Sequence, residues 1–157
     1  MEFPRKMMLK AIDLAIENIT HSDGGPFGAV LVRDGEILGV GTNRVVCDHD
    51  PTAHAEIVAI KNACKALGTH DLTGCDLFTC CYPCPMCLGA IRWARIERVF
   101  YALTSRDASD MGFADEEFYR MHGLPEDLSH LVMIQIASED ALRIKDVWLS
   151  KQSRKMY

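Results

Sequence analysis

His54, Cys84 and Cys87 are the residues of this sequence whose types and spacing suit chemistry. They occur in His54-Ala55-Glu56 and, thirty residues on, in Pro83-Cys84-Pro85-Met86-Cys87. One imidazole nitrogen and two thiolates fill three corners of a zinc tetrahedron. Three protein ligands with the fourth corner left to water mark a catalytic site rather than a structural one. Glu56 need not be a ligand; just past the histidine, it is placed to move that water's protons. A structural site would require a fourth ligand, and Cys47 and His49 are the nearest candidates in sequence. A redox Cys-x-x-Cys pair would leave His54 and Glu56 without roles. The expected cofactor is Zn2+, one per subunit.

These residues need elements to bring them together. Pro4 to Ile19 reads as an amphipathic helix, with Met8, Ala11, Ile12, Ala15, Ile16 and Ile19 on one face. Gly24-Gly25-Pro26 breaks the chain. Phe27–Val32 and Glu36–Val40 read as strands joined at Asp34-Gly35, a hairpin turn signal. A loop over Asn43–Thr52 leads to a helix over His54–Leu67, stopped by Gly68. Strands follow over Asp76–Cys81, Arg98–Leu103 and Val132–Ala137, and helices over Pro85–Arg95, Phe113–His122 and Asp140–Lys151. Pro85 is tolerated in a first helical turn. Alternating strands and helices predict an α/β layered fold.

Residues two apart on a helix do not share a face. His54 and Glu56 therefore converge only if they lie in the first turn, where side chains and free N–H groups surround the helix end. Cys84 and Cys87, three apart, share a face at the start of the next helix. Two helix N-termini would then meet at the metal, and their positive dipole ends would favour thiolate over thiol.

The composition suits one domain spanning residues 1–157. Of these, 48% are hydrophobic and 25% charged, ordinary for a soluble globular protein. No apolar run approaches the roughly 20 residues that span a bilayer, so no membrane partner is expected. The N-terminal stretch carries charges throughout and lacks a signal-peptide core, and the seven cysteines read as reduced thiols. Both point to a cytoplasmic protein. Cys47, Cys64, Cys75, Cys80 and Cys81 are expected as packing residues, with a tuning role for Cys80 and Cys81 the alternative. The net charge of −5 argues against a nucleic-acid partner. Lys145, Lys151, Arg154 and Lys155 cluster near the end, where cations suit the last turn of a helix.

The chain resembles the cytidine deaminase-like superfamily (cytidine and deoxycytidylate deaminases) and, within it, the bacterial guanine deaminases. The matching stretches are Gly24–Val30, Asp50–Glu56, Pro83–Ile91 with Trp93-Ala94-Arg95, Gly112–Asp115 and the final Tyr157. Ala114 stands where that family can carry a second acid, so only Asp115 carries over. The resemblance implies a three-layer α/β/α sandwich with a central five-stranded mixed sheet. It also implies a homodimer whose C-terminal segment is swapped between subunits, and the hydrolysis of guanine, a small-molecule nucleobase, to xanthine and ammonia. Glu56 would act as base and then acid. Asn43, Phe27, Ala55, Trp93, Asp115 and Tyr157 would contact the substrate: Asn43 and Asp115 through base-edge hydrogen bonds, Ala55 through its backbone, Phe27 by stacking, Trp93 as a wall. A turn role for Asn43 and core roles for Phe27 and Trp93 are the competing readings. Guanosine, triazine or cytosine deamination, or deamination of tRNA adenosine, would use the same zinc chemistry.

Overall fold

The computed structural model describes residues 2–123 and 131–157. Its five strands are β1 (Gly28–Arg33), β2 (Glu36–Thr42), β3 (Asp76–Cys81), β4 (Arg98–Leu103) and β5 (Val132–Gln135), ordered β2-β1-β3-β4-β5 in one sheet. β1 runs antiparallel to β2 and β3, while β3, β4 and β5 are parallel. The sheet is therefore mixed, as the resemblance implies. The β1–β2 hairpin turns at Asp34 and Gly35, both with positive φ (53° and 83°), the backbone a two-residue turn of this kind requires.

Helices cover both faces. On one side lie α1 (Glu2–His21), α5 (Ser105–Asp110) and α7 (Ser138–Ser150). Their core includes Met8, Ile12, Ile19, Phe78, Phe113 and Trp148. On the other lie α3 (Ala55–Leu67), α4 (Pro85–Trp93) and α6 (Asp115–His122), around Leu31, Leu77, Leu88, Ile91 and Val99. The short α2 (Val45–Asp48) precedes α3. Its four residues fall inside the stretch expected to be a loop, and the sequence pattern does not predict α5 either. Both are too short to display an apolar period. α5 is held by a capping box between Thr104 and Asp107 instead.

Close packing sets where the site can form. A Cβ on Gly41 of β2 would collide with the carbonyl oxygen of Ala55 at the start of α3. Glycine there lets the helix that begins beside His54 lie directly on the sheet. Buried Asn18 of α1 donates to the Gly25 and Asn43 carbonyls, both at 2.9 Å. One amide thus ties the Gly24-Gly25 loop to the end of β2.

Candidate active site

The three predicted ligands converge at two helix N-termini. His54 is the N-cap of α3 and Cys84 the N-cap of α4, and both have extended backbones. Cys87 lies in the first turn of α4. Cys84 Sγ is 3.5 Å and Cys87 Sγ 3.6 Å from His54 Nδ1, and one ligand atom from each residue lies within 4.8 Å of the others. Zn–S and Zn–N bonds of about 2.3 and 2.0 Å at the tetrahedral angle require an S···N edge of about 3.5 Å. The donors therefore stand where zinc would need them. Among the described residues no other cluster of three such side chains occurs.

The cluster is poised electrostatically. Without metal, the hydrogen bond from Cys87 and the nearby His54 pull the Cys84 thiol down to about 4 against the cost of burial. Cys87 is held protonated, by its pairing with the Cys84 thiolate and by burial. Burial works against a charged His54, but its hydrogen bond to Cys84 and the charges of Cys84 and Glu56 outweigh it and raise its pKa.

Glu56, 6% exposed, lies beside the ligands. Thr79 donates to its Oε1 at 3.0 Å and Cys87 to its Oε2 at 3.4 Å. Burial, reinforced by Cys84, raises its pKa. A carboxylate that holds protons more firmly than usual, next to a metal site, suits acid–base work. Thr79 went unrecognised in the sequence because a threonine within a strand carries no local signal of what it faces.

A cavity of about 260 Å³ opens from this cluster. His54, Glu56 and Cys84 form its floor, and Phe27, Tyr82, Phe113, Phe118 and Tyr157 give it an aromatic wall. Phe27 meets Phe113 edge-on with ring centroids 5.0 Å apart, and the Tyr157 ring is tilted against Phe113, also at 5.0 Å. Asp115, the first residue of α6, faces the same space. Burial and the negative charges of Cys84 and Glu56 raise its pKa to about 7. Among the described residues no lysine or arginine lines the cavity.

Tyr157 is not frayed. Its residue is 40% exposed, yet its ring reaches the pocket and its hydroxyl sits over Gly25, where a Cβ would overlap it. The burial and nearby carboxylates raise the phenol's pKa. Asn43 is fully buried and is not among the lining residues, but it adjoins one of them: its backbone N–H is bonded to the Phe27 carbonyl at 3.1 Å. Its Oδ1 accepts from Val45 N–H, as a turn residue's would, while its Nδ2 has no partner among the described residues. Ala55 is buried under Gly41 and is not among the lining residues.

Trp93 does not reach the pocket of its own chain. It is 85% exposed at the far end of α4, in neither the pocket wall nor the core. The pocket lies at the N-terminus of α4, and nine residues of helix carry the chain about 13 Å away from it. Cys81 lines the cavity, whereas Cys80 is buried and accepts from Gly28 N–H at 3.2 Å.

Residues 1–103 match the family model for the cytidine and deoxycytidylate deaminase zinc-binding region. The chain belongs to this family. Zinc is thus the family's metal, and His54, Cys84 and Cys87 form the arrangement that fits it. The chain is 44% identical to the guanine deaminase of Bacillus subtilis over 148 residues, covering 94% of this chain and 95% of that one. It also resembles the X-ray structure of a Bacillus subtilis guanine deaminase, with 42% identity, 98% coverage of both chains and a TM-score of 0.74. A tRNA-specific adenosine deaminase of Agrobacterium fabrum is 49% identical, but over 79 residues, half of this chain and 52% of its own length.

Proposed function

We propose that this chain is a zinc-dependent guanine deaminase that converts guanine and water to xanthine and ammonia. The observation that carries the reading is a pocket holding two carboxylates, Glu56 and Asp115, and an aromatic wall beside the three-ligand cluster, with no lysine or arginine among the described lining residues to receive a phosphate. His54, Cys84 and Cys87 would hold the zinc, which when bound supplies Lewis-acid activation of the attacking water. Glu56 accepts a proton from that water and delivers it to a ring nitrogen. It then carries the second proton from the added hydroxyl to the amino group, which leaves as ammonia. The new carbonyl and the retained ring proton complete xanthine. Asp115 accepts from N–H donors on the base edge, and the free Nδ2 of Asn43 suits an acceptor there. Phe27 and Tyr157 close on the ring faces.

The chain acts as one domain, in the cytoplasm, as a homodimer and without nucleic acid. The C-terminal cations support the last point, because they are engaged within the protein. Lys145 pairs with Asp107 and Asp110, and Lys155 with Asp23. Lys151 binds the Ile19 and Ser22 carbonyls at the end of α1, and Arg154 those of Leu149 and Lys151. No helix among the described residues is long and apolar enough to cross a membrane. In the single chain the tail packs on its own body; a swap would keep those contacts and change only which subunit supplies them.

Ammonia release from guanine, guanosine, adenine, cytosine, cytidine and a tRNA anticodon stem-loop tests the reading. Guanine should exceed the others by a wide margin. A stem-loop adenosine as best substrate would overturn it.

A further inference from the structure

We propose that Tyr119 is a positioning residue: it latches α6, the helix that brings Asp115 and Phe118 to the pocket, onto the loop that presents Cys84. Among the eight residues of α6, Tyr119 alone is buried. Phe118 and Met121 on the same helix are largely exposed, and α6 rests chiefly on α5 and α4. Asp115 and Phe118 face the pocket, and among its described residues the helix thus has a single buried side chain anchoring it. That side chain's single polar atom has a specific target, because the Tyr119 hydroxyl donates to the Pro83 carbonyl. Pro83 immediately precedes the ligand Cys84. The Tyr119 ring sits 6.0 Å from Tyr82, which lines the pocket and in turn packs edge-on against Tyr101 at 4.9 Å.

Two consequences follow from this geometry. Asp115 lies one turn N-terminal to Tyr119, on the same face of the helix. Fixing Tyr119 therefore fixes the carboxylate's height above the ligand cluster. In the other direction, the bond restrains the peptide that orients Cys84, much as outer contacts hold metal ligands in place elsewhere. One hydroxyl would couple the cover over the base to the metal loop.

The proposal rests on the guanine deaminase reading only for its turnover arm. Tyr119→Phe keeps the ring and removes the donor. The zinc-loaded variant should show KM for guanine raised about tenfold with kcat changed less. Zinc transfer to a chromogenic chelator should accelerate several-fold. Amide hydrogen exchange should rise in α6 while α3 and the central strands stay protected. The last two readouts need no substrate, so they stand if guanine proves to be the wrong base. Unchanged zinc release and unchanged α6 exchange in the folded variant would overturn the latch. Exchange raised equally through α3 and the sheet would also overturn it, making Tyr119 an ordinary core residue.

Discussion

Glu56 has one oxygen held by the Thr79 hydroxyl at 3.0 Å, a bond that does not depend on the protonation of a metal ligand, so it is oriented before any substrate arrives. Glu56→Gln should leave one zinc per chain and the fold intact, yet lower ammonia release by at least about 100-fold, the ordinary contribution of a general acid–base group. Metal analysis alongside turnover checks both halves. Asp115 gives a second expectation, for the metal-free protein. Its carboxyl ionises at about 7 in the fold against an ordinary 3.8, so the fold favours the protonated form. The stability this contributes is fully present below pH 3.8 and is lost as pH rises through about 7. Urea midpoints measured across that range should fall more steeply for the native protein than for Asp115→Asn. At this scale the sequence was most legible where chemistry is local: His54, Glu56, Cys84 and Cys87 announce themselves by type and spacing. Thr79, Asn18 and Tyr119 do not, because each acts on a residue far along the chain.

Elements bring those residues together by placing two helix starts at one point. β3 and β4 coincide with the expected strands because each is a short apolar run bounded by polar residues and turns. α4 stops two residues earlier than expected because Arg95 adopts positive φ (61°), which a sequence pattern does not reveal. The approach of α3 to β2 rests on the missing side chain at Gly41. Gly41→Ala would press a methyl group against backbone that cannot swing aside, at a cost of about 1–3 kcal/mol. Urea unfolding should record that loss. Zinc affinity should fall with it, because His54 begins the displaced helix.

The whole molecule poses the question of which chain supplies the tail. Mixing Glu56→Gln subunits with subunits lacking Met156 and Tyr157 should restore part of the activity if the tail crosses between subunits. One site of each heterodimer then has an intact Glu56 and a partner's tyrosine. No recovery despite proven subunit exchange would place the tail in cis. The molecule's charge bears on a later event, the departure of product. The chain carries a net charge of −5, and its cavity presents Glu56 and Asp115 with no lysine or arginine among the described lining residues. Xanthine is a stronger acid than guanine, since a carbonyl has replaced an electron-donating amino group. A neutral base would thus enter a cavity whose Asp115 carboxyl becomes charged as pH rises through about 7, and be converted there into a molecule that readily becomes an anion. Repulsion would then help to expel it, and the surrounding field would not draw it back. Added xanthine should inhibit ammonia release less as pH rises, and Asp115→Asn should weaken that trend: turnover would be protected from its own product by the sign of the cavity wall.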